Sequence, residues 1–331
     1  MHRVLIPVLM VGLCSVGCDG DGAGVTADAV DFRLGAGNSQ VLNSAVFNGV
    51  QFNGVQFNGS SFTGTLATAE GAVVKSGLAF EGAELRLLVN GAAVTLRFDD
   101  IYPDPAHPNG DVYFYQISVR EDSVGTWTSL CKNFGGAATA AIPMANYWNY
   151  TTGARIDDPN VITFACRGGA LAKCVEWGYV PWHTAVQCSS NNQDCATISL
   201  KDHHQACTRM TRADYCGDGR SYTFENTPID IYDWLQTRIQ VRSSLGHPEW
   251  SPEAEWGPNG ATCVGDELRL QMFDDLGLTY NFPTCLDSLD DASNCGTMAS
   301  TRPTSRLANS YCHEWTDDPA ACNIAHNNDN D

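Results

Sequence analysis

The sequence predicts an α+β fold: a disulfide-rich mixed domain with an antiparallel β-sheet, preceded by a short β arm built from five-residue repeats. Three observations predict it. Twelve of the 14 cysteines lie between Cys131 and Cys322, behind an apolar N-terminal run typical of export. A phenylalanine recurs every five residues from Phe47 to Phe62. Further along the chain, β-branched and aromatic runs are followed by segments with helix-start signals.

Residues 1–17 have the order of a signal peptide, with a basic start, an apolar run and then small residues. The apolar run is too short for a transmembrane helix, which needs about 20 apolar residues. Ser15-Val16-Gly17-Cys18 resembles a bacterial lipobox, so Cys18 is the expected lipidation site and the membrane is a partner through that anchor. Cleavage after Ala27-Asp28-Ala29 would instead give a secreted protein.

The net charge of −19 and a pI near 4.6 exclude most nucleic-acid ligands, because phosphate binding needs clustered Lys and Arg. Only four lysines are present, and they are scattered. The chain also contains no phosphate-binding loop, no dinucleotide fingerprint and no common hydrolase motif, so no cofactor is predicted. An envelope location leaves a cell-wall, polysaccharide or protein ligand as the expected partner.

Composition divides the chain into segments of different character. In order, we expect a signal peptide (1–17), a flexible tether (18–40), the five-residue repeat (41–66), a β-rich part of the globular region (67–125), a domain core (126–245), a Cys-rich acidic part (246–326) and a disordered tail (327–331).

The repeat places Leu42, Phe47, Phe52, Phe57 and Phe62 at intervals of five residues. This period fits neither a helix nor a plain strand. It resembles pentapeptide repeats, which wind a square β-helix with the central residue inward. Five repeats form little more than one coil, so a low-complexity arm is the alternative.

The globular region shows strand and helix signals in a mixed order. Asn90-Gly91 is a strong hairpin signal. Asp202 with Gln205 forms a capping box for a helix to about Tyr215, which Gly217 and Gly219 would end. The predicted elements are strands at Ala83–Val89, Ala92–Phe98, Val112–Arg120, Val161–Cys166, Ser221–Phe224 and Glu267–Met272, a loop at Tyr102–Gly110, helices at Gly169–Gly178 and 202–215, and a short element at Ile229–Leu235.

The run Cys207-Thr208-Arg209-Met210-Thr211-Arg212-Ala213-Asp214-Tyr215-Cys216-Gly217-Asp218-Gly219 resembles the signature of the ADYC domain family, which is named for residues 213–216. The similarity covers roughly residues 80 to 265. It implies a bacterial envelope lipoprotein and no established activity. The other matching stretches are Thr163–Cys166, Ala172–Cys174, Gly178-Tyr179, Pro181-Trp182, Thr227–Asp230 and Trp256–Cys263.

The predicted helix 202–215 holds the best chemical candidates. His203, Cys207 and Asp214 share one face and would suit a metal ion. Cys207 or Cys216 would be the nucleophile of a thiol hydrolase, with a histidine as base. Disulfide bonding of both cysteines is the structural alternative. The candidate signature face comprises His203, His204, Cys207, Arg209, Arg212, Asp214, Tyr215 and Cys216.

Three weaker site hypotheses come from residue type alone. The charges of Arg209, Arg212 and Asp214 would line an acid-binding cleft or form a buried ion-pair network. Four aromatic residues would form a sugar platform or belong to the core, and three glutamates would serve a glycosidase or lie in a solvated acidic loop. The aromatic residues are Trp148, Tyr150, Tyr179 and Trp182, and the glutamates are Glu249, Glu253 and Glu255.

Twelve cysteines are expected to form up to six disulfides. Only the pair Cys188–Cys195 is predicted, since the short polar segment between these cysteines closes easily. The favoured function is a non-catalytic binding or structural module, and the alternative is an extracytoplasmic hydrolase acting on envelope polymers near helix 202–215. The disulfide cysteines are Cys131, Cys166, Cys174, Cys188, Cys195, Cys207, Cys216, Cys263, Cys285, Cys295, Cys312 and Cys322.

Overall fold

The computed structural model describes most of the chain from residue 45 to residue 324. No helix among the described residues has the length and apolar character needed to cross a membrane. The predicted signal peptide, Cys18, the tether and the tail lie outside the described residues. The ranges described are 45–51, 55–68, 71–89, 92–107, 110–121, 123–133, 135–149, 151–159, 161–188, 194–224, 227–291, 295–296, 304–314 and 319–324.

The chain divides into two compact units. Unit 1 comprises the described parts of Ser44–Trp148 and Arg155–Ala172. Unit 2 comprises Asn149–Ala154 and the described residues from Lys173 onward. The division falls within a helix near residue 172, whereas composition placed segment boundaries at 125/126 and 245/246. The difference arises because strands between residues 128 and 166 pair with earlier strands of unit 1.

Unit 1 is an antiparallel β structure. Its described strands are β1 (Ala45–Gln51), β2 (Val55–Asn58), β3 (Ser61–Thr68), β4 (Gly71–Ser76), β5 (Glu84–Val89), β6 (Ala92–Pro103), β7 (Tyr113–Glu121), β8 (Thr128–Ser129), β9 (Cys131–Lys132), β10 (Ala138–Thr139), β11 (Ala141–Ala145), β12 (Tyr147–Trp148), β13 (Arg155–Ile156) and β14 (Val161–Cys166). The main sheet has the strand order β1-β14-β11-β7-β6-β5, with β8 added to β7, and β2-β3-β4 form a smaller sheet.

Aromatic side chains form the centre of the unit 1 core. Phe62 is fully buried, and its ring centroid lies 5.4 Å from that of Phe98 and 5.5 Å from that of Tyr115. The Cys131–Cys166 disulfide borders the same core. The strands predicted at Ala83–Val89, Ala92–Phe98, Val112–Arg120 and Val161–Cys166 are confirmed as β5, β6, β7 and β14 within a few residues.

The five-residue repeat does not form a square coil among the described residues. β1 instead pairs with β14, and β2 and β3 form a hairpin in which Phe57 pairs with Phe62. The turn uses Gly59 at φ 64°, a left-handed conformation that glycine adopts without strain. A two-residue turn places residues five apart opposite each other, so the period of five reflects a hairpin at this point. Leu42 and Phe52 lie outside the described residues.

Unit 2 combines a five-stranded sheet, a two-stranded ribbon and short helices. The remaining elements of the described residues are α1 (Ala170–Glu176), β15 (Thr184–Cys188), β16 (Cys195–Ser199), α2 (Lys201–Thr211), β17 (Ile229–Asp233), β18 (Trp250–Gly257), β19 (Gly260–Val264), α3 (Gln271–Asp275), β20 (Asp290–Asp291), β21 (Leu307–Cys312) and 3-10 helices at Gly77–Phe80, Thr284–Ser288 and Pro319–Cys322. The five-stranded sheet has the order β17-β21-β18-β19-β20, and α2 packs against β18, β19 and β21. The separate ribbon is formed by β15 and β16.

The described chain is mostly antiparallel β-sheet with few, short helices, so the helical share implied by an α+β class is not confirmed. The strand predicted at Glu267–Met272 was wrong, since this segment leads into α3. Arg269 in this segment is buried and bonded to Glu253 on β18. Ser221–Phe224 was predicted as a strand but has no strand partner among the described residues.

The start of α2 also differs from prediction. The helix begins at Lys201, and its N-cap is Leu200, which makes no side-chain capping bond. Asp202 therefore lies in the first turn and is not the N-cap. The Gln205 side chain, expected in a capping box, donates to the Gly153 carbonyl oxygen at 3.1 Å.

Six disulfides use all twelve cysteines between Cys131 and Cys322. They include the Cys188–Cys195 bond that the short spacing predicts. Such a disulfide framework is typical of an oxidising, extracytoplasmic compartment. The bonds are Cys131–Cys166, Cys174–Cys207, Cys188–Cys195, Cys216–Cys285, Cys263–Cys295 and Cys312–Cys322.

Candidate functional site

The signature segment, residues 207–219, runs from the second half of α2 into the turn that ends this helix. The helix ends at Thr211 and not at Tyr215, because Ala213 adopts a left-handed conformation with φ 50°. The Ala213 amide donates to the Met210 carbonyl and the Asp214 amide to the Arg209 carbonyl, both at 2.9 Å. These two bonds make a Schellman motif, which satisfies carbonyls at the end of a helix.

Glycine usually occupies the left-handed position of this motif, since a β-carbon is strained there. Ala213 is completely buried and belongs to the apolar core of unit 2. Its methyl group therefore fills space in the core while its backbone ends the helix. These two structural roles, one of the methyl group and one of the backbone, explain the alanine of the signature.

Asp214 is a buried ion-pair partner and not part of an open acid-binding cleft. Its Oδ2 lies 2.5 Å from Arg209 Nη1, and both residues are almost fully buried. The Gly219 amide donates to the same carboxylate oxygen at 3.1 Å, while Arg212 donates to the Gly219 carbonyl. The ion pair therefore holds the turn against α2, as one of the two interpretations of these charges predicted.

The two glycines of the signature allow close backbone approach. A β-carbon on Gly217 would lie 1.9 Å from the Asn259 carbonyl oxygen, and one on Gly219 would lie 2.2 Å from that of Thr151. Both glycines also have positive φ values, 65° and 87°. Any side chain at either position would push the signature turn away from its neighbours in unit 2.

Tyr215 connects the signature to a buried glutamate on β18. Its hydroxyl donates to Glu253 Oε1 at 2.5 Å, and its ring stacks on Trp256 with centroids 5.3 Å apart. Burial raises the pKa of the Tyr215 hydroxyl well above its usual value, and the neighbouring Glu253 adds to the shift. The tyrosine therefore stays protonated and acts as a hydrogen-bond donor.

Glu253 is completely buried and has three further donors around it. Arg269 Nε lies 2.8 Å from Glu253 Oε2, and the Arg269 backbone amide donates to Oε1 at 3.1 Å. Asn309 Nδ2 donates to Oε2 at 2.5 Å. Arg269 in turn donates to the Met210 carbonyl on α2 at 2.5 Å. A buried carboxylate satisfied in this way positions neighbouring elements and has no spare oxygen for acid–base chemistry.

Both signature cysteines are bonded, Cys207 to Cys174 and Cys216 to Cys285. A disulfide sulfur is neither a thiolate nucleophile nor a metal ligand. The described residues contain no group of His, Cys, Asp and Glu side chains arranged to hold a metal ion. The hypotheses of a thiol nucleophile at Cys207 or Cys216 and of a metal site on His203, Cys207 and Asp214 were therefore wrong for this structure.

The two adjacent histidines of α2 are buried and do not lie on the surface. His203 is 1% exposed, and its ring stacks on Tyr179 with centroids 6.2 Å apart. Neither of its ring nitrogens has a hydrogen-bond partner among the described residues. Burial lowers the pKa of His203 to about 4, and nearby Arg306 adds to the shift. His204 is fully buried.

The sugar-platform and glycosidase hypotheses are not supported, because most of the side chains they require are buried. Trp148 and Tyr179 are buried in their respective units, so neither can offer a ring face to a sugar. Trp182 is partly exposed beside His183, and Tyr150 lies outside the described residues. Glu253 and Glu255 are buried on β18, which rules out both a glycosidase cleft at these two residues and a solvated acidic loop.

Sequence reasoning missed the partners of the signature: Glu253, Arg269 and Asn309. Each lies at least 38 residues from Tyr215, and their hydrogen bonds to one another span 16 and 56 residues. No local signal marks Glu253 as buried, because Pro252 next to it argues against a central strand and Glu255 follows two residues later.

Comparison with known proteins gives one match. The family model described as the ADYC domain matches residues 77–270, which is more than half of the chain and includes the signature. Searches of curated proteins and of solved structures found no match.

Replacing Tyr215 with phenylalanine tests whether the signature anchors Glu253. We expect Tyr215→Phe to lower the free energy of unfolding by about 1–3 kcal/mol, because a buried carboxylate loses a donor. Urea unfolding at pH 7 measures the change. Tyr280→Phe is the matched control, since the hydroxyl of Tyr280 bonds to Asp274 in an exposed setting. Equal losses in both variants would contradict a special role for Tyr215.

Acidification tests the buried state of His203. The pKa of about 4 in the folded chain lies below the ordinary value of 6.5, so protonation favours unfolding. The stabilisation is complete above pH 6.5 and is lost as the pH falls towards 4. Between pH 7 and pH 5 the wild type should lose about 2 kcal/mol more than His203→Phe. His247→Phe, at an exposed position, should keep the wild-type dependence; identical curves for all three proteins would argue against burial of His203.

Proposed function

We propose that this chain, which belongs to the ADYC domain family, is a cell-envelope lipoprotein whose folded part is a non-catalytic, disulfide-stabilised binding or structural module. One observation supports the proposal above the others. The polar and thiol groups of the Ala213–Cys216 tetrapeptide are engaged in internal bonds: Asp214 in an ion pair, Tyr215 in a hydrogen bond and Cys216 in a disulfide. A segment with this many internal bonds supports a scaffold function.

The covalent framework points the same way. Five of the six disulfides lie in unit 2, and they connect its helices, strands and C-terminal part. Catalysis by a thiolate would need at least one unpaired cysteine in the exported chain, and each of the twelve cysteines from Cys131 onward is paired. A domain stabilised against an oxidising environment suits a role outside the cytoplasm, in which it binds a wall polymer, a polysaccharide or another protein.

The lipid anchor rests on the sequence. Small residues lead into Cys18 directly after the apolar run 4–13, and the segment that follows, Asp-Gly-Asp-Gly-Ala-Gly, is suited to a flexible tether. A diacylated cysteine with such a tether would hold the folded part close to a membrane surface while leaving it free to meet partners.

An extracytoplasmic hydrolase is the alternative, and one observation favours it. His203 is buried with a lowered pKa, as a neutral general base would be. Against it, the ring is 1% exposed and stacked on Tyr179, so a substrate has no route to the ring nitrogens. The non-catalytic module is therefore the better supported of the two.

Detergent partitioning tests the lipid anchor. The exported wild-type chain should enter the detergent-rich phase of a Triton X-114 separation, and Cys18→Ala should stay in the aqueous phase because acylation has lost its sulfur. Cys14→Ala is the matched control, since it changes a cysteine within the predicted signal peptide and should partition like the wild type. A mature N-terminus after Ala29 with all three proteins in the aqueous phase would show that the chain is secreted.

Alkylation and turnover assays together test the non-catalytic assignment. Denatured, unreduced protein should show no labelled cysteine on peptide mapping of residues 131–322, and purified peptidoglycan and polysaccharides should not be cleaved. A labelled Cys207 or Cys216 would reopen thiol catalysis. Cleavage that His203→Phe or His204→Ala abolishes, with thermal unfolding unchanged, would favour the hydrolase.

A further inference from the structure

The ribbon of β15 and β16 differs from the rest of unit 2 in its exposure. None of its ten side chains is buried, and the two strands pair directly from Thr184–Ser199 to Cys188–Cys195. Of the twelve described disulfide cysteines, Cys195 is exposed, and eight are buried. The half-buried cysteines are Cys188, Cys216 and Cys285. The Cys188–Cys195 bond is thus the disulfide most accessible to a reagent in solution.

The ribbon is held to unit 2 along β15. Gln187 forms a β-bridge with Leu235, and the Gln236 amide donates to the Val186 carbonyl at 2.8 Å. The outer strand, β16, pairs with β15 and with no other strand among the described residues. The C-terminal end of β16 is fixed by the buried Leu200, whose amide donates to the His183 carbonyl at 3.0 Å. The rest of β16 is held by its hydrogen bonds to β15 and by the disulfide.

A two-stranded ribbon is marginally stable in water without further support. A disulfide between two strands restricts the unpaired state of the ribbon and so favours the paired one. Because the Cys188–Cys195 bond encloses a separation of seven residues, breaking it releases the ribbon and leaves the long-range disulfides of unit 2 untouched.

We propose that Cys188–Cys195 is a redox modification site that exchanges with dithiol reductants, and that its reduction frees β16 while the rest of unit 2 stays folded. A reductant thiolate attacks Cys195 Sγ, forming a mixed disulfide, and Cys188 leaves as a thiolate that takes a proton. The second reductant thiol then attacks the mixed disulfide. It releases the Cys195 thiol and becomes a disulfide itself, so two electrons pass to the protein.

One edge of β15 would then have two states, covered by β16 in the oxidised chain and uncovered in the reduced chain. In the oxidised chain, β16 covers one edge of β15 and is itself the outer strand. In the reduced chain, β15 keeps its bonds to residues 235–236 and presents the edge that β16 had covered. Reduction would thus change which strand of the ribbon has an unpaired edge.

Graded reduction of the whole exported protein tests the proposal. Samples equilibrated with rising dithiothreitol are quenched with N-ethylmaleimide and mapped, and amide exchange is followed in parallel. Cys188 and Cys195 should be labelled first, with β16 amides exchanging at least about tenfold faster and α2 amides unchanged. First labelling at Cys216 and Cys285, unchanged exchange in β16, or loss of α2 protection in the same step would each overturn it.

Two double variants serve as controls. Cys188→Ser with Cys195→Ser should show fast β16 exchange without any reductant and no label at low dithiothreitol. Cys312→Ser with Cys322→Ser removes a buried bond of similar separation, ten residues, and should keep β16 protected and still label Cys188 and Cys195 first. If either variant fails to fold, the labelling order in the wild type decides the question alone.

Discussion

The buried carboxylate of Glu253 is the constraint on which much of unit 2 depends. A charge removed from water must be matched by donors, and here those donors come from separate parts of the chain: Tyr215 after α2, Arg269 before α3 and Asn309 on β21. Each of these donors is itself buried and has a second contact. The helix, the sheet and the segment before α3 are therefore positioned by one shared charge.

This arrangement explains why a short segment is such a specific signature. Ala213 ends the helix from within the core, Asp214 pairs with Arg209, Tyr215 reaches Glu253 and Cys216 is bonded to Cys285. The glycines that follow admit the backbones of residues 151 and 259. Replacing any of these residues would remove an internal bond, a core contact or a close backbone approach within unit 2. A strongly constrained sequence therefore does not by itself indicate a catalytic centre.

Local patterns predicted the strands of unit 1 well, because alternating apolar residues and a turn signal are properties of adjacent residues. The Cys188–Cys195 bond belongs to the same class, since its partners are close in sequence. Prediction failed where a charged residue is buried against an oppositely charged partner that is distant in the sequence. Arg269 and Glu253 are residue types that usually lie in solvent, and their 2.8 Å ion pair together with the other donors to Glu253 explains why both are buried. The end of α2 was misplaced because a buried alanine, and not a glycine, holds the left-handed position.

The pairing of β1 with β14 affects the sequence in which the strands of unit 1 fold. Val46 pairs with Phe164, so an edge strand of the main sheet meets its partner only after more than a hundred further residues. Closing so long a loop is slow compared with forming hairpins such as β5–β6. A chain that emerges from an export channel with its N-terminus first would expose β1 as an unpaired strand throughout that interval. Shielding of this segment by a holding chaperone would then raise the yield of folded protein, since unpaired strand edges aggregate.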